Sequence, residues 1–179
     1  MERQEGLKSN IILVGPMGSG KTTVGQILAI NLGWRFIDTD QLIVERTGKE
    51  IPLLFEEQGE EYFRQVEKEV ISRFSQISRT VIATGGGAVI DRTNYQLLKE
   101  NGLVFYLKAS PSVLTRRVGS GKGRPLLLGK DIQAIVVGLL KEREKYYQEA
   151  DLTIETDFLT PYEVADLMIV ESKKHGLSV

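Results

Sequence analysis

The residues Gly15-Pro16-Met17-Gly18-Ser19-Gly20-Lys21-Thr22 fit the P-loop pattern G-x-x-x-x-G-K-[ST]. The apolar run at 11–14 predicts a buried strand before them, and the apolar spacing over 24–32 predicts a helix after them. In that setting glycines let successive backbone N–H groups point at one anion beside the helix N-terminus. The alternative is a glycine-rich turn that binds nothing, but the flanking pattern favours a phosphate-binding loop.

The fixed positions of this loop have expected roles. Lys21 is placed to reach the β- and γ-phosphates of a nucleotide, and the hydroxyl of Thr22 to coordinate Mg²⁺. The candidate nucleotide-binding residues here are Gly18, Ser19, Gly20, Lys21, Thr22 and Thr23.

Composition narrows the class of protein. The 179 residues are enough for one domain with a sizeable core, and a net charge of −1 predicts no general attraction to nucleic acid or to an anionic membrane. Cysteine is absent, which excludes disulfides and thiolate metal sites and fits a reducing compartment. Neither a signal-peptide core nor a membrane-length apolar run is visible, so we expect a cytoplasmic protein.

Strand and helix patterns alternate along the chain, which predicts an α/β fold with a parallel sheet covered on both faces. Strands are predicted at 11–14, 34–37, 81–83, 103–107 and 152–155. Helices are predicted after the P-loop and at 41–46, 51–57, 60–74, 94–99, 111–118, 131–150 and 161–174, with breaks at Thr47-Gly48 and at Gly59. The basic, glycine-rich segment 119–125 predicts a mobile lid.

Two carboxylates follow the second predicted strand, in Asp38-Thr39-Asp40. Asp40 is open to an ordinary interpretation as the cap of the next helix. Beside a P-loop, however, Mg²⁺ favours carboxylate, water and phosphate oxygens. Alternate positions of an extended segment point the same way, so both side chains could face one cleft. One would then serve the metal through water while the other accepts a hydroxyl proton.

The run Gly85-Gly86-Gly87 follows the third predicted strand. Glycines there allow a ligand to approach the backbone closely and offer several N–H donors. A tight turn is the alternative, but it would need only one or two glycines. The run therefore favours contact with a ligand.

The arginines are ambiguous from spacing alone. Arg64 and Glu67 are i,i+3 neighbours on a helix, which favours a surface ion pair, and Arg143 lies in a charged stretch typical of a solvated helix face. Arg117 and Arg124 flank the glycine-rich segment, where they suit phosphate or purine contacts.

Taken together, these motifs resemble the shikimate kinase family over essentially the whole chain. The specific combination is Asp38-Thr39-Asp40, Phe63-Arg64-x-x-Glu67, Gly85-Gly86-Gly87 and Arg124-Pro125-Leu126-Leu127, in this order. The resemblance implies a three-layer P-loop kinase fold, like that of nucleoside monophosphate kinases, with a five-stranded parallel sheet of order 2-3-1-4-5. We expect one domain over 1–179, with substrate-binding helices at about 38–75 and a small lid at about 117–130.

The implied activity is Mg²⁺-dependent transfer of the ATP γ-phosphoryl group to the 3-hydroxyl of shikimate, in chorismate and aromatic amino-acid biosynthesis. The expected partners are ATP and shikimate, without nucleic acid or membrane, and the protein is expected to be a monomer. The alternatives are another small-metabolite P-loop kinase, similar to gluconate kinase, or a non-catalytic homologue that binds nucleotide or shikimate.

The resemblance also implies roles for residues that spacing left open. The implied substrate-binding residues are Asp40, Arg64, Gly85, Gly86, Gly87 and Arg143. Arg117 and Arg124 join the P-loop as ATP-binding residues, Thr22 and Asp38 hold Mg²⁺, and the catalytic residues are Lys21, Asp40 and Arg124. Lys145 stands where the family commonly has proline, so we expect Arg143 to be aimed less firmly.

Overall fold

The fold was analysed in a computed structural model that describes residues 8–74, 77–119 and 131–179. Its strands are β1 (Asn10–Val14), β2 (Arg35–Asp38), β3 (Thr80–Ala83), β4 (Gly102–Lys108) and β5 (Leu152–Glu155). They form one sheet of order β2-β3-β1-β4-β5, and every neighbouring pair is parallel. The predicted fold class and strand order are therefore confirmed.

Seven α-helices lie within the described ranges. They are α1 (Lys21–Leu32), α2 (Thr39–Thr47), α3 (Ile51–Phe74), α4 (Arg92–Asn101), α5 (Pro111–Gly119), α6 (Ile132–Tyr147) and α7 (Pro161–Lys174). The helix bounds predicted from the sequence hold to within a few residues. A short 3₁₀ turn at Ala88–Ile90 was not predicted. None of these helices has both the length and the apolar character to cross a bilayer.

The central strand β1 is buried on both faces, which explains its uninterrupted apolar sequence. Ile11 and Leu13 pack into one core with side chains of α1 and α7, while Ile12 and Val14 pack into a second core with side chains of α4 and α6. Helices therefore cover both faces of the sheet, as in a doubly wound parallel fold.

The carboxyl ends of the inner strands meet at one edge of the sheet. There the backbone N–H of Thr84, just after β3, donates to the carbonyl of Leu13 in β1 at 3.1 Å. This contact sets the start of the glycine run beside the P-loop, and β2 ends on the other side of β3. Ligands of open α/β sheets bind at this edge, so the fold brings the predicted motifs to one place.

The turn after β2 corrects two expectations about the aspartates. The Oδ1 atom of Asp38 accepts from the backbone N–H groups of Asp40 and Gln41, so Asp38 caps α2 and Asp40 does not. The chain is already helical at Thr39, so the two carboxylates are not alternate residues of an extended segment. The side-chain direction of Asp40 is therefore set by its position in the first turn of α2 and not by the alternation of a strand.

Gly59 interrupts α3 as the sequence predicted. Its φ of 82° and ψ of 170° lie outside the helical region, so α3 consists of two helical segments joined at a kink. The two segments pack with α2 around a small core of their own, which contains Ile43, Leu54, Phe63, Val66 and Val70. The predicted lid lies largely at 120–130, outside the described residues.

Candidate active site

A cavity of about 1330 Å³ opens at the carboxyl end of the sheet. Its floor is the P-loop, and its lining includes the predicted residues Gly18, Ser19, Gly20, Lys21, Thr22, Thr23, Asp38, Asp40, Gly86, Arg117 and Arg143. The fold thus gathers motifs that lie more than a hundred residues apart in sequence. The cavity is large enough for two small ligands side by side, as a phosphotransfer site requires.

The amine of Lys21 lies against the loop that precedes it. Its Nζ donates to the carbonyls of Gly15 at 2.8 Å and Pro16 at 2.9 Å. The lysine is thereby held at the centre of the P-loop, beside the N-terminus of α1. A positive amine and a helix N-terminus at one point form a binding site for phosphate groups.

Thr22 and Asp38, the predicted metal-binding residues, are hydrogen-bonded to each other. The Thr22 hydroxyl donates to Oδ2 of Asp38 at 2.7 Å, and both residues line the cavity. Hydroxyl and carboxylate oxygens are hard ligands, and Mg²⁺ commonly takes one or two protein oxygens plus water and phosphate. The donor set fits Mg²⁺, although the described residues contain no group of three or more acidic, histidine or cysteine side chains around one point.

The glycine run is closely packed against predicted substrate-binding residues. A Cβ built on Gly85 would overlap Oδ1 of Asp40, and one built on Gly87 would lie 2.9 Å from both terminal nitrogens of Arg64. Any larger residue would displace the carboxylate or the guanidinium. The run forms a turn, in which the backbone N–H of Ala88 donates to the carbonyl of Gly85 at 3.1 Å, and it also lets two side chains approach the backbone closely. Arg64, Gly85 and Gly87 lie directly behind the cavity lining rather than in it.

The middle glycine contacts a different pair. A Cβ on Gly86 would lie 3.6 Å from the hydroxyl of Tyr147 and 3.7 Å from Nη1 of Arg143, and all three residues line the cavity. The Tyr147 hydroxyl donates to the carbonyl of Gly86 at 2.6 Å. Arg143 thus faces the cavity although Lys145 stands in the continuous helix α6. The solvated-face interpretation of Arg143 is wrong.

The Arg64–Glu67 ion pair predicted from helix spacing is present, but it is not a surface pair. Nη1 of Arg64 donates to Oε2 of Glu67 at 2.8 Å, and the Glu67 side chain is only 1% exposed. Burial raises the pKa of Glu67, as do the charges of Asp40 and Asp91, while Arg64 opposes the shift. The exposed Glu60 adds a second contact to Arg64 at 3.2 Å.

Arg117 also lines the cavity. Its two terminal nitrogens donate to Thr156, to Oγ1 at 3.1 Å and to the backbone carbonyl at 2.9 Å. These bonds join α5 to the loop after β5, which also lines the cavity. Arg124, the second predicted nucleotide contact, lies outside the described residues.

Some residues of the site were not predicted from the sequence. The start of α3 lines the cavity through Ile51, Pro52, Leu53 and Glu56, as does Glu50 just before it, and Thr156 accepts hydrogen bonds from Arg117. Nothing in their spacing singles them out, since they reach the cavity only through the folding of α3 and β5. The hydroxyl contact of Tyr147 with Gly86 was not foreseen either.

Comparison with known proteins identifies the family. The family model described as shikimate kinase matches residues 17–172. A shikimate kinase of Moorella thermoacetica is 47% identical over 151 residues, which cover 84% of this chain and 87% of the relative. The solved structure of shikimate kinase from Acinetobacter baumannii in complex with shikimate superposes with a TM-score of 0.88 at 39% identity, covering 97% of both chains.

A gluconokinase from Sinorhizobium meliloti is also similar in structure. Its TM-score is 0.65 at 18% identity, covering 94% of each chain, so the likeness extends to the fold alone. The matches with shikimate kinases are much stronger in sequence, and they confirm the predicted enzyme class. The chain belongs to the shikimate kinase family and is an ATP-dependent phosphotransferase.

Proposed function

We propose that the chain transfers the γ-phosphoryl group of ATP to the 3-hydroxyl of shikimate, with the acceptor held at the glycine run. The observation that supports this most directly is the contact of three successive glycines with Asp40, Arg143 and Arg64. One carboxylate and two guanidinium groups thereby converge beside a P-loop. Shikimate carries a carboxylate and adjacent hydroxyls, which complement that set of charges.

Asp40 is the proposed hydroxyl acceptor. It lies in the first turn of α2, it lines the cavity, and its Oδ1 is packed against Gly85. In that position its carboxylate orients the acceptor hydroxyl and takes its proton as the phosphoryl group arrives. The proton moves from the acceptor oxygen to an Asp40 oxygen while the new O–P bond forms and the bond to ADP breaks.

Arg143 and Arg64 bind the acceptor carboxylate in this proposal. Arg143 reaches the cavity directly, and its Nε is buried without a hydrogen-bond partner among the described residues. Arg64 is held behind Gly87 by Glu67. Guanidinium groups bind carboxylates through two parallel hydrogen bonds, which fixes the orientation of the acceptor as well as its affinity.

At the nucleotide end, the proposal assigns Lys21 to the β- and γ-phosphates. Thr22 and Asp38 would hold Mg²⁺, which would neutralise charge on the phosphate oxygens. Arg117 is assigned to the adenine side, and Arg124, which lies outside the described residues, to the phosphates. Phosphoryl transfer depends on positioning and charge neutralisation more than on covalent chemistry, so these contacts account for catalysis without a further nucleophile.

A coupled assay of ADP release with shikimate, quinate and gluconate tests the substrate assignment. We expect rapid turnover with shikimate and little with the other two, because the sequence matches are to shikimate kinases and the likeness to a gluconokinase extends to the fold alone. Turnover of gluconate above that of shikimate would support the gluconate kinase alternative. Binding of shikimate without ADP release would support a non-catalytic homologue.

Replacement of Asp40 by asparagine tests the acid–base role. An amide still accepts a hydrogen bond but does not take the proton, and general-base contributions are typically about 10²- to 10⁴-fold. We expect kcat to fall by about that factor while calorimetry shows unchanged ATP binding. A loss below about tenfold would leave Asp40 with a positioning role only.

The remaining parts of the proposal are a cytoplasmic location and a monomeric state. The cysteine-free sequence fits a reducing compartment and excludes disulfide-linked oligomers. Size-exclusion chromatography with light scattering should give a mass near 20.0 kDa. A mass of twice that value would contradict the monomer.

A further inference from the structure

Arg143 lies in the last part of α6, and two buried tyrosines hold this part of the helix against the rest of the protein. The first is Tyr147, one turn further along the same helix face. Its side chain is almost fully buried, and its hydroxyl donates to Gly86 at 2.6 Å. A buried hydroxyl that loses its partner is costly, so this bond fixes the end of α6 against the glycine run.

The second point of attachment is Tyr106 in β4. Its ring stacks on that of Tyr147 with centroids 5.2 Å apart and an interplanar angle of 25°. The Tyr106 hydroxyl donates to Oε2 of Glu144 at 2.8 Å, and Glu144 directly follows Arg143. Tyr106 is fully buried in the core of the sheet. The turn that carries Arg143 is thus bonded to the sheet on one side and to the glycine run on the other.

The guanidinium of Arg143 also interacts with Tyr147 directly. Burial raises the pKa of Tyr147, while the charge of Arg143 and a side-chain hydrogen bond with it act in the opposite direction. Nε of Arg143 is buried and has no hydrogen-bond partner within the described ranges, and Nη1 lies near the same glycine that Tyr147 binds. The position of this guanidinium therefore depends on Tyr147 and on the turn of α6 that carries both residues. A displacement of about 1 Å in a group that positions the substrate can lower the rate about 10²-fold.

We propose that Tyr147, supported by the Tyr106–Glu144 hydrogen bond, is a positioning residue that sets Arg143 and the Gly86 peptide together to receive the acceptor carboxylate. This inference rests on the proposed function, because it assigns the carboxylate to Arg143. Burial raises the pKa of Tyr147 to about 12, so its hydroxyl remains a hydrogen-bond donor over the whole working pH range.

The direct test is Tyr147→Phe, with KM for shikimate and for ATP measured separately. The ring stack is retained and only the hydroxyl bond is lost, so we expect the shikimate KM to rise about 3- to 10-fold and the ATP KM to change less than twofold. Tyr95→Phe is the matched control. Tyr95 is a buried tyrosine of the same core, and its hydroxyl has no hydrogen-bond partner among the described residues, so neither KM should change.

Glu144 provides a second, independent variant. Glu144→Gln still accepts the bond from Tyr106, whereas Glu144→Leu does not. We expect the leucine variant to raise the shikimate KM several-fold and the glutamine variant to restore most of the loss. Equal effects of the two, or a shikimate KM within twofold of the wild type in both Tyr147→Phe and Glu144→Leu, would overturn the proposal.

A double variant separates positioning from general stability. If Tyr147 acts through Arg143, then Tyr147→Phe should add little to the shikimate KM of Arg143→Lys, because the bidentate contact is already lost. If the double variant raised the shikimate KM by the product of the two single effects, the proposal would be overturned. Failure of the proposed function is distinguishable, since the wild-type protein would then not turn over shikimate at all.

Discussion

At the scale of single residues, Glu67 connects the core of the protein to the acceptor site that we propose. Its buried carboxylate holds the guanidinium of Arg64, which in turn lies against Gly87. The same arginine also meets Glu60, whose side chain is 66% exposed. Both glutamates place a carboxylate beside Arg64, but the Glu67 side chain is buried and the Glu60 side chain is exposed. Their replacement therefore separates the effect of burial from that of charge.

We expect Glu67→Gln to raise the shikimate KM about fivefold or more, because Arg64 loses the charged partner that orients it. The ATP KM should stay nearly constant. Glu60→Gln is the matched control and should change the shikimate KM by less than twofold, since exposed pairs contribute only about 0–1 kcal/mol. Steady-state kinetics with both substrates decides between them. Equal effects of the two variants would contradict a special role for the buried partner.

The predicted site residues differ in where the structure places them. Lys21, Thr22, Asp38, Asp40 and Arg143 line the cavity, whereas Arg64, Gly85 and Gly87 do not, and the roles of all of them stay predictions. Spacing within one helix also predicted the Arg64–Glu67 pair, because i,i+3 neighbours must meet. No local pattern could predict the pairing of Tyr106 with Glu144, because those residues become neighbours only when α6 packs on the sheet. The same holds for the contact of Arg117 with Thr156.

At the scale of elements, the kink in α3 lets the two segments of this helix take different directions beside the cavity. The segment before Gly59 lines the cavity, and the segment after it carries Arg64 and Glu67. The φ of 82° and ψ of 170° at Gly59 belong to a region that essentially only glycine occupies. This break was predicted because glycine disfavours a helix interior, but its geometry depends on how both segments pack on α2.

We expect Gly59→Ala to destabilise the protein by about 1–3 kcal/mol, the usual cost of forcing another residue into this backbone region. No atom lies within 4 Å of a Cβ at this position, so the loss would come from the backbone alone. Gly138→Ala in α6 is the control. It also has open space but lies in a regular helix, so it should stabilise by about 0.5–1 kcal/mol. Urea unfolding measures both, and a Gly59→Ala variant as stable as the wild type would contradict the backbone argument.

Asp151, between α6 and β5, joins elements at the edge of the sheet opposite the cavity. It accepts from Lys8 at 2.7 Å and from the backbone N–H of Val104 at 2.9 Å, and Lys99 lies 3.7 Å away. Burial opposes ionisation of Asp151, but these donors outweigh it and lower its pKa. A lowered pKa in the folded state contributes stability above the unfolded pKa of about 3.9, which is lost as pH falls through the folded value.

We therefore expect Asp151→Asn to cost about 1–3 kcal/mol at pH 7 and to cost much less at pH 3. The neutral side chain has no ionised state to lose, so the wild-type advantage should shrink as the solution is acidified. Asp166→Asn, at an exposed position of α7, is the control and should match the wild type at both values. Denaturant unfolding at the two pH values gives the comparison. A cost for Asp151→Asn that did not depend on pH would contradict the assigned cause.

At the scale of the whole molecule, our proposal divides one cavity between two ligands. It assigns Gly86 and Arg143 to the acceptor and Arg117 and Thr156 to the nucleotide, and all four residues line the cavity together with the P-loop. The strand order was predicted from the resemblance, and the alternation of strands and helices independently indicated a parallel sheet. The shape of the cavity was not predictable, since it depends on how α3, α5 and α6 pack around the edge of the sheet.

This division predicts that each ligand stabilises the protein independently. A ligand at a hundred times its Kd adds about 2.7 kcal/mol to the free energy of unfolding. For a chain of this size that corresponds to a rise in Tm of about 5–10 °C. We expect Arg143→Lys to reduce the rise caused by shikimate while keeping that caused by a non-hydrolysable ATP analogue with Mg²⁺, and Arg117→Lys to do the reverse. Thermal unfolding with each ligand alone measures both, and a variant that lost both rises equally would contradict the two-ended arrangement.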